Sequence, residues 1–229
     1  MQKLDKYKEK IAAIVPALNE EANIEKVLKI LLTSEHLDEI ILVDDGSVDK
    51  TAEIGEKLGV KIIKLNKAGG GGKGNAMREG VLATDAKIIT FFDADLIGLS
   101  HEHIYSLIQP IVEEDIKMCV GVRGRLFGLP KLIAKIDPLM AIGGERAIRR
   151  ELFEKISGKF IEGFAIEPTL NYYCKSKKIP TKHVSLKNLD VITKERKRGF
   201  INGFISRLKM ILEIIKIRLR FIFNKNEFI

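Results

Sequence analysis

A chain of 229 residues, 45% hydrophobic and 31% charged, carries enough apolar material for one well-filled core and is too ordinary in composition to be disordered. Its net charge of +8 is uneven: ten Lys/Arg face three Asp/Glu from Lys194 to the end, against 29 and 28 in the preceding 193 residues, which excludes a diffuse nucleic-acid-binding surface. Two cysteines without CxxC spacing, a charged opening (MQKLDKYKEK) without the apolar centre of a signal peptide, and no apolar run of bilayer length give the expectation of a reduced, cytoplasmic protein.

The first half alternates. Residues 11–15 (IAAIV) read as a strand, and 20–32 as a helix through Ile24, Val27, Leu28 and Leu31. EIILVD is a second strand, followed by a helix over 49–58. VKIIKL is a third, followed by a helix over 74–82, and KIITFFD is the fourth. Continuous apolar strands separated by short helices predict a mostly parallel α/β sheet covered on both faces, with ligands at the C-terminal strand ends.

The second half is less regular. Ser100 is placed to cap a helix running to about Glu113, KMCVGV is a strand, and residues 123–138 are rich in Arg, Gly and Pro. GGERAIRR, a short helix and GFAIEP follow, and Pro168 suits the first turn of a helix ending near Ser176.

Each early strand ends in a distinctive cluster: PALNEE, then DDGS, then NKAGGGGKG, then Asp93-Ala-Asp95. A parallel sheet brings all four to one rim. Two carboxylates two residues apart project to one side of extended chain, where they can hold Mg²⁺ or Mn²⁺ with waters and phosphate oxygens completing the shell. Alone, the DxD pair reads as solvated loop carboxylates; the apolar strand before it and its three companions favour the metal. Asp44, Asp45 and Ser47 are ordinary turn chemistry that also suits a ribose or base edge. The GxGxxG within the glycine run follows the third strand rather than the first, and Lys73 is followed by Gly74 instead of Ser/Thr, so neither a dinucleotide fingerprint nor a P-loop is read there. Lys73 remains a phosphate partner at a helix start.

Three further groups stay open on residues alone. Glu167, beside Pro168, is either a carboxylate favoured by a helix dipole or a general base. Glu145 and Arg146 are a surface pair or neighbours of an acceptor. His101 and His103 read as surface residues, and His183 as a remote candidate for a late metal ligand.

Together these clusters resemble nucleotide-sugar glycosyltransferases of the GT-A fold, family two and its relatives, over about residues 11–100. The stretch PLMAIGGERAIRRELFEKI followed by GFAIEPTL is similar to the acceptor half of glucosyl-3-phosphoglycerate synthases, whose Gly-x-x-x-Glu signature is matched by Gly163 and Glu167. The resemblance implies a Rossmann-like GT-A domain and a nucleotide-sugar pocket lined by Pro16, Ala17, Asn19, Glu20, Asp44, Asp45, Ser47, Lys73 and Asp93. It implies metal binding at Asp93 and Asp95, catalysis by Asp95 and Glu167, and acceptor contacts from Arg125, Gly144, Glu145 and Arg146. Where those synthases carry a metal-binding histidine, this chain reads SLKNLDVITKE, with Asp190 closest.

The expected organisation is a nucleotide-sugar half (1–98), an acceptor half of the same domain (99–195) and a basic amphipathic helix (196–229). That helix suits packing on its own domain, a homodimer, or an anionic membrane face. The expected activity is a metal-dependent hexosyltransferase using a nucleoside-diphosphate sugar, with a phosphorylated small molecule such as 3-phosphoglycerate, or a polyprenyl phosphate, as acceptor. The rivals are a sugar-nucleotide nucleotidyltransferase, which would carry an Arg/Gly-rich loop where this chain has PALNEE, and a binding module without turnover.

Overall fold

The computed structural model describes residues 9–65, 72–123, 144–156 and 166–191. Arg125, the Gly69–Gly71 run, Gly163 and the helix expected over 196–229 lie outside the described residues.

The first four strands are β1 (Ile11–Ala17), β2 (Glu39–Asp44), β3 (Lys61–Lys64) and β4 (Ile88–Phe91), with helices α1 (Ile24–Leu32), α2 (Thr51–Lys57) and α3 (Gly72–Leu82) between them. A two-residue strand β5 (Leu96–Ile97) leads to α4 (His101–Glu113) and β6 (Met118–Arg123). Then come β7 (Arg146–Arg149), α5 (Arg150–Glu154), α6 (Ile166–Ser176), β8 (Thr181–Leu186) and β9 (Asp190–Val191). Seven strands form one sheet in the order β3-β2-β1-β4-β7-β6-β8, and β5 pairs with β9 in a small ribbon.

Alternation along the strands divides the core. In β1, Ile11, Ala13 and Val15 face α1 and α4, while Ala12 and Ile14 face α3, α5 and α6. On the first face Val27, Leu28 and Leu31 of α1 meet Leu107, Ile108 and Ile111 of α4. On the second, Met77 and Val81 of α3 join Phe91, Phe153 and Leu170. Burial on both sides makes the centres of β1, β2 and β4 nearly continuous apolar runs, while the edge strand β3 is apolar only at Ile62 and Ile63.

Three features bear on the expectations. GGERAIRR contains a strand: β7 runs antiparallel between β4 and β6, with Thr90 opposite Ala147 and Cys119 opposite the same residue. Its arginine-flanked sequence offers no apolar run, only Ala147 and Ile148 on opposite faces. His183, a remote candidate for a metal ligand, lies inside the outermost strand β8, opposite Val120. His103 is buried: its Nδ1 accepts from Ser100 N at 3.2 Å and its Nε2 lies 2.8 Å from Lys187 O, tying the start of α4 to the turn after β8. The β5–β9 ribbon is closed nearby by Gly98, whose φ is +79° and whose missing Cβ would stand 2.5 Å from Asn188 O. Only glycine fits there.

Candidate active site

Two differently built groups meet at the C-terminal edge of the parallel strands. The first joins the tips of β1 and β2. Pro16 and Ala17 are the last residues of β1 and pair with Val43 and Asp44. Asp45 N donates to Ala17 O at 2.8 Å, extending the ladder one step past the strand. Asn19, held at φ 56°, donates its N–H to Ser47 Oγ at 2.9 Å and accepts from Val48 N at 2.9 Å. Glu20 N donates to Thr51 Oγ1 at 2.8 Å. The Asp44 carboxylate accepts from Ser47 N at 3.1 Å and from the Ser47 hydroxyl. Asp44 and Asp45 are buried. Seven residues expected at a nucleotide pocket thus sit together, with several polar groups spent on fixing one loop to the other. Thr51 and the Glu21–Asp49 contacts belong to the same lattice and were not singled out from sequence: Glu21 N donates to Asp49 Oδ2 at 3.1 Å and Lys50 N to Glu21 Oε2 at 3.0 Å.

The second group is charged and drawn from distant segments. Asp93 leaves the end of β4 and Asp95 follows in the turn before β5. Lys73, in the first turn of α3, places its ammonium between Asp93 Oδ1 and Glu167 Oε1, the latter at 2.6 Å. Glu167 lies in the first turn of α6, its side chain 8% exposed. Arg123 ends β6, with Nη1 3.5 Å from Glu145 Oε1. Arg146 opens β7 and reaches Glu167 O from Nη1 at 3.4 Å. Glu145 and Arg146 are fully buried, so they are not a surface pair. Gly144 presses on Asp93: a Cβ there would overlap both carboxylate oxygens.

Burial and charge set the protonation of this group. Burial acts against the Lys73 ammonium, but Asp93 and Glu167 hold its pKa above the ordinary value. Burial likewise pushes Asp93 upward, and Lys73 and Arg123 outweigh it, leaving Asp93 below the usual carboxylate range. Glu145 is pushed up to about 7, first by burial and then by Asp93. Both Glu145 carboxylate oxygens lack a hydrogen-bond donor, although Arg123 supplies charge at 3.5 Å. Burial lowers Arg146.

Asp93 and Asp95 are hard oxygen donors of the kind Mg²⁺ or Mn²⁺ takes in ones and twos. Among the described residues no group of three or more His, Cys, Asp or Glu could hold a metal. A dication here would therefore draw most of its shell from water and ligand phosphate, and the donor set fits that use. Neither His183, on the outermost strand, nor Asp190, opposite Ile97 in the ribbon and bonded to its own neighbour Val191 N at 2.9 Å, completes such a group. Arg123, two residues before the expected Arg125, belongs to this charged group and was not singled out from sequence; its place as the last residue of β6 was the available signal.

The family model for Glycosyl transferase family 2 matches residues 12–166. A glucosyl-3-phosphoglycerate synthase from Petrotoga mobilis is 31% identical over 199 residues, covering 71% of this chain and 60% of the relative. A 4,4'-diaponeurosporenoate glycosyltransferase from Staphylococcus haemolyticus is 33% identical over 118 residues, 49% of this chain and 31% of the relative. The chain spans between about a third and three fifths of the length of these curated relatives. A crystal structure of glucosyl-3-phosphoglycerate synthase from Mycobacterium tuberculosis, in complex with Mn²⁺, uridine diphosphate and glucosyl-3-phosphoglycerate, superposes with a TM-score of 0.68 at 26% identity, covering 87% of this chain and 80% of that one. The mostly parallel sheet covered on both faces is the GT-A arrangement.

Proposed function

We propose that this chain, which belongs to glycosyl transferase family 2, moves a hexosyl group from a nucleoside-diphosphate sugar to an acceptor that carries a phosphate. The observation that carries this reading is the Lys73 bridge, which ties Asp93 at the tip of β4 to Glu167 at the start of α6. It joins the half assigned to the donor, residues 1–98, to the half assigned to the acceptor, 99–195. The wall of Pro16, Ala17, Asn19, Glu20, Asp44, Asp45 and Ser47 would receive the nucleoside. Lys73 and Asp93 would lie at the diphosphate, with Asp95 and Asp93 holding Mg²⁺ or Mn²⁺. When bound, that ion would neutralise charge growing on the leaving diphosphate. Both ions occur in solved structures of the mycobacterial synthase together with uridine diphosphate.

The bond between the anomeric carbon and the diphosphate oxygen breaks with its electron pair going to the diphosphate. An acceptor oxygen forms the new bond to the anomeric carbon as its proton passes to a carboxylate base or to the departing diphosphate. Glu167, buried at the start of a helix and paired with the same ammonium as Asp93, is our candidate for the carboxylate that meets that oxygen or a sugar hydroxyl. Arg123, at the end of β6, is the candidate cation for an anionic acceptor, with Arg146 buried behind it, and Arg125 is a further candidate.

A phosphorylated small acid is the preferred acceptor, because the mycobacterial synthase, solved with phosphoglyceric acid, covers most of this chain. A lipid phosphate is the second reading, favoured by the positive charge gathered after Lys194. No helix among the described residues is long and apolar enough to cross a membrane; on this second reading the lipid acceptor is met at the inner membrane face, with the basic segment 196–229, alone or in a homodimer, as the proposed contact.

The test is release of nucleoside diphosphate from a panel of sugar nucleotides, with Mn²⁺, in the presence of 3-phosphoglycerate or of polyprenyl phosphate in liposomes. Acceptor-dependent release is expected, and Asp95→Ala should lower it by about a hundredfold or more while the protein stays folded. Binding of the sugar nucleotide with no turnover on any acceptor would overturn the reading in favour of a binding module.

A further inference from the structure

Lys73 does more than await a phosphate: its ammonium already has two carboxylate partners. One is Asp93, a metal-binding candidate, and the other, Glu167, lies 2.6 Å away on α6. The side chains of Lys73, Asp93 and Glu167 are only 19%, 20% and 8% exposed, so water screens little of this contact. Around them stand Asp95 and Glu145 as further acids and Arg123 and Arg146 as further cations. The cluster is thus close to balanced in charge before any ligand arrives.

A dication approaching Asp93 alone meets an ammonium within hydrogen-bond distance of the same carboxylate. It also adds two positive charges to a nearly neutral group. A diphosphate arriving with it changes both conditions: it brings compensating negative charge, and it offers Lys73 another anion to pair with.

We infer that Lys73 is a resident counter-ion of Asp93 and Glu167, a positioning residue that keeps the metal site weak until a nucleoside diphosphate draws the ammonium away, so that metal and nucleotide enter together. This rests on the proposed sugar-nucleotide function for the identity of the anion, but not for the competition at Asp93. Such a device protects against idle metal loading, and it spares Asp93 and Glu167 the cost of buried carboxylates without a partner in the free protein.

The experiment is Mn²⁺ titration of the full chain, followed by the paramagnetic signal of the free ion, with no nucleotide present. Lys73→Met, which keeps most of the side-chain length and removes the charge, is expected to bind Mn²⁺ about tenfold or more tightly than the unaltered protein, a coupling of ordinary size. A lost structural contact weakens ligand binding, so a gain in affinity separates a counter-ion from a scaffold. Should Lys73→Met fail to fold, Lys73→Gln, which is uncharged but keeps a hydrogen-bond donor, is expected to show the same tightening. Equal or weaker Mn²⁺ binding in the folded variant overturns the inference. Adding uridine diphosphate should tighten Mn²⁺ binding in the unaltered protein more than in the variant; equal tightening in both also overturns it. If Lys73→Met binds Mn²⁺ more tightly while neither protein binds any nucleoside diphosphate, the counter-ion role stands and the proposed function falls.

Discussion

The tips of β1 and β2 and the tips of β4, β6 and β7 lie on one edge of one sheet, yet they are held by different forces. At β1 and β2 the loops are tied by hydrogen bonds between backbone N–H groups and nearby side chains: Asn19 with Ser47 and Val48, Glu20 with Thr51, Ser47 with Asp44. At β4, β6 and β7 the ties are ion pairs between residues far apart in the chain, and two carboxylate oxygens of Glu145 accept no hydrogen bond. Such hydrogen bonds each contribute about 1 kcal/mol, or about 2 where the acceptor is the Asp44 carboxylate, whereas a buried charge without its partner costs about 3–5. One edge thus pairs a firm wall suited to shape recognition with a charged cluster suited to answering the arrival of charge.

The contrast is broken most severely at Arg146. Arg146→Ala leaves Glu145 and Glu167 with one fewer buried cation and is expected to destabilise the protein by about 3–5 kcal/mol in urea unfolding. Gly144→Ala should follow, at about 1–3 kcal/mol, because the new Cβ forces the Asp93 carboxylate off its contact with Lys73. On the wall, Ser47→Ala removes the hydroxyl's bonds to Asn19 N and to the Asp44 carboxylate but leaves the Ser47 N–H bond in place, and should cost about 1–2 kcal/mol. A loss on the wall as large as that at Arg146 would erase the distinction.

Proton linkage sharpens the same comparison. Glu145 titrates from an ordinary 4.5 in the unfolded chain to about 7 in the native one. Across that window the native state holds a proton the unfolded state has released, so this group's contribution is whole below about 4.5, declines as pH rises, and is gone above about 7. Thermal unfolding of the unaltered protein is expected to shift downward from pH ~5 to pH ~8 relative to Glu145→Gln, in which this slope is absent. Asp93, held low by Lys73, works in the opposite sense and only at more acid pH.

The wall was legible in sequence because its parts are local. PALNEE and DDGS follow continuous apolar strands, and turn-forming residues at such ends have few other uses. Lys73, Asp93 and Asp95 could be named for similar reasons and Glu167 through the resemblance, although nothing in the spacing told that one ammonium would join acids 74 residues apart in sequence. The burial of Glu145 and Arg146 was not legible. Charged residues are mostly exposed, and the groups that make their burial tolerable, Arg123 and the carbonyl of Glu167, come from other parts of the chain. The same holds for His103, whose carbonyl partner on Lys187 appears only when α4 packs beside β8. The two-residue strands β5 and β9 are too short to leave any period in the sequence.

The reversed direction of β7 has a geometric consequence. Its first residue, rather than its last, stands at the reacting edge. Because side chains alternate along a strand, a slip of one position would deliver the methyl of Ala147 in place of a guanidinium and invert every neighbour behind it. Three main-chain bonds bracket this four-residue strand against that slip: Gly121 N to Glu145 O at one end, Arg149 N to Lys117 O and Arg150 N to Lys87 O at the other. Placement of the guanidinium is thereby governed in part from the far end of the sheet, where backbone changes near Lys87 and Lys117 would be felt at the edge without touching it.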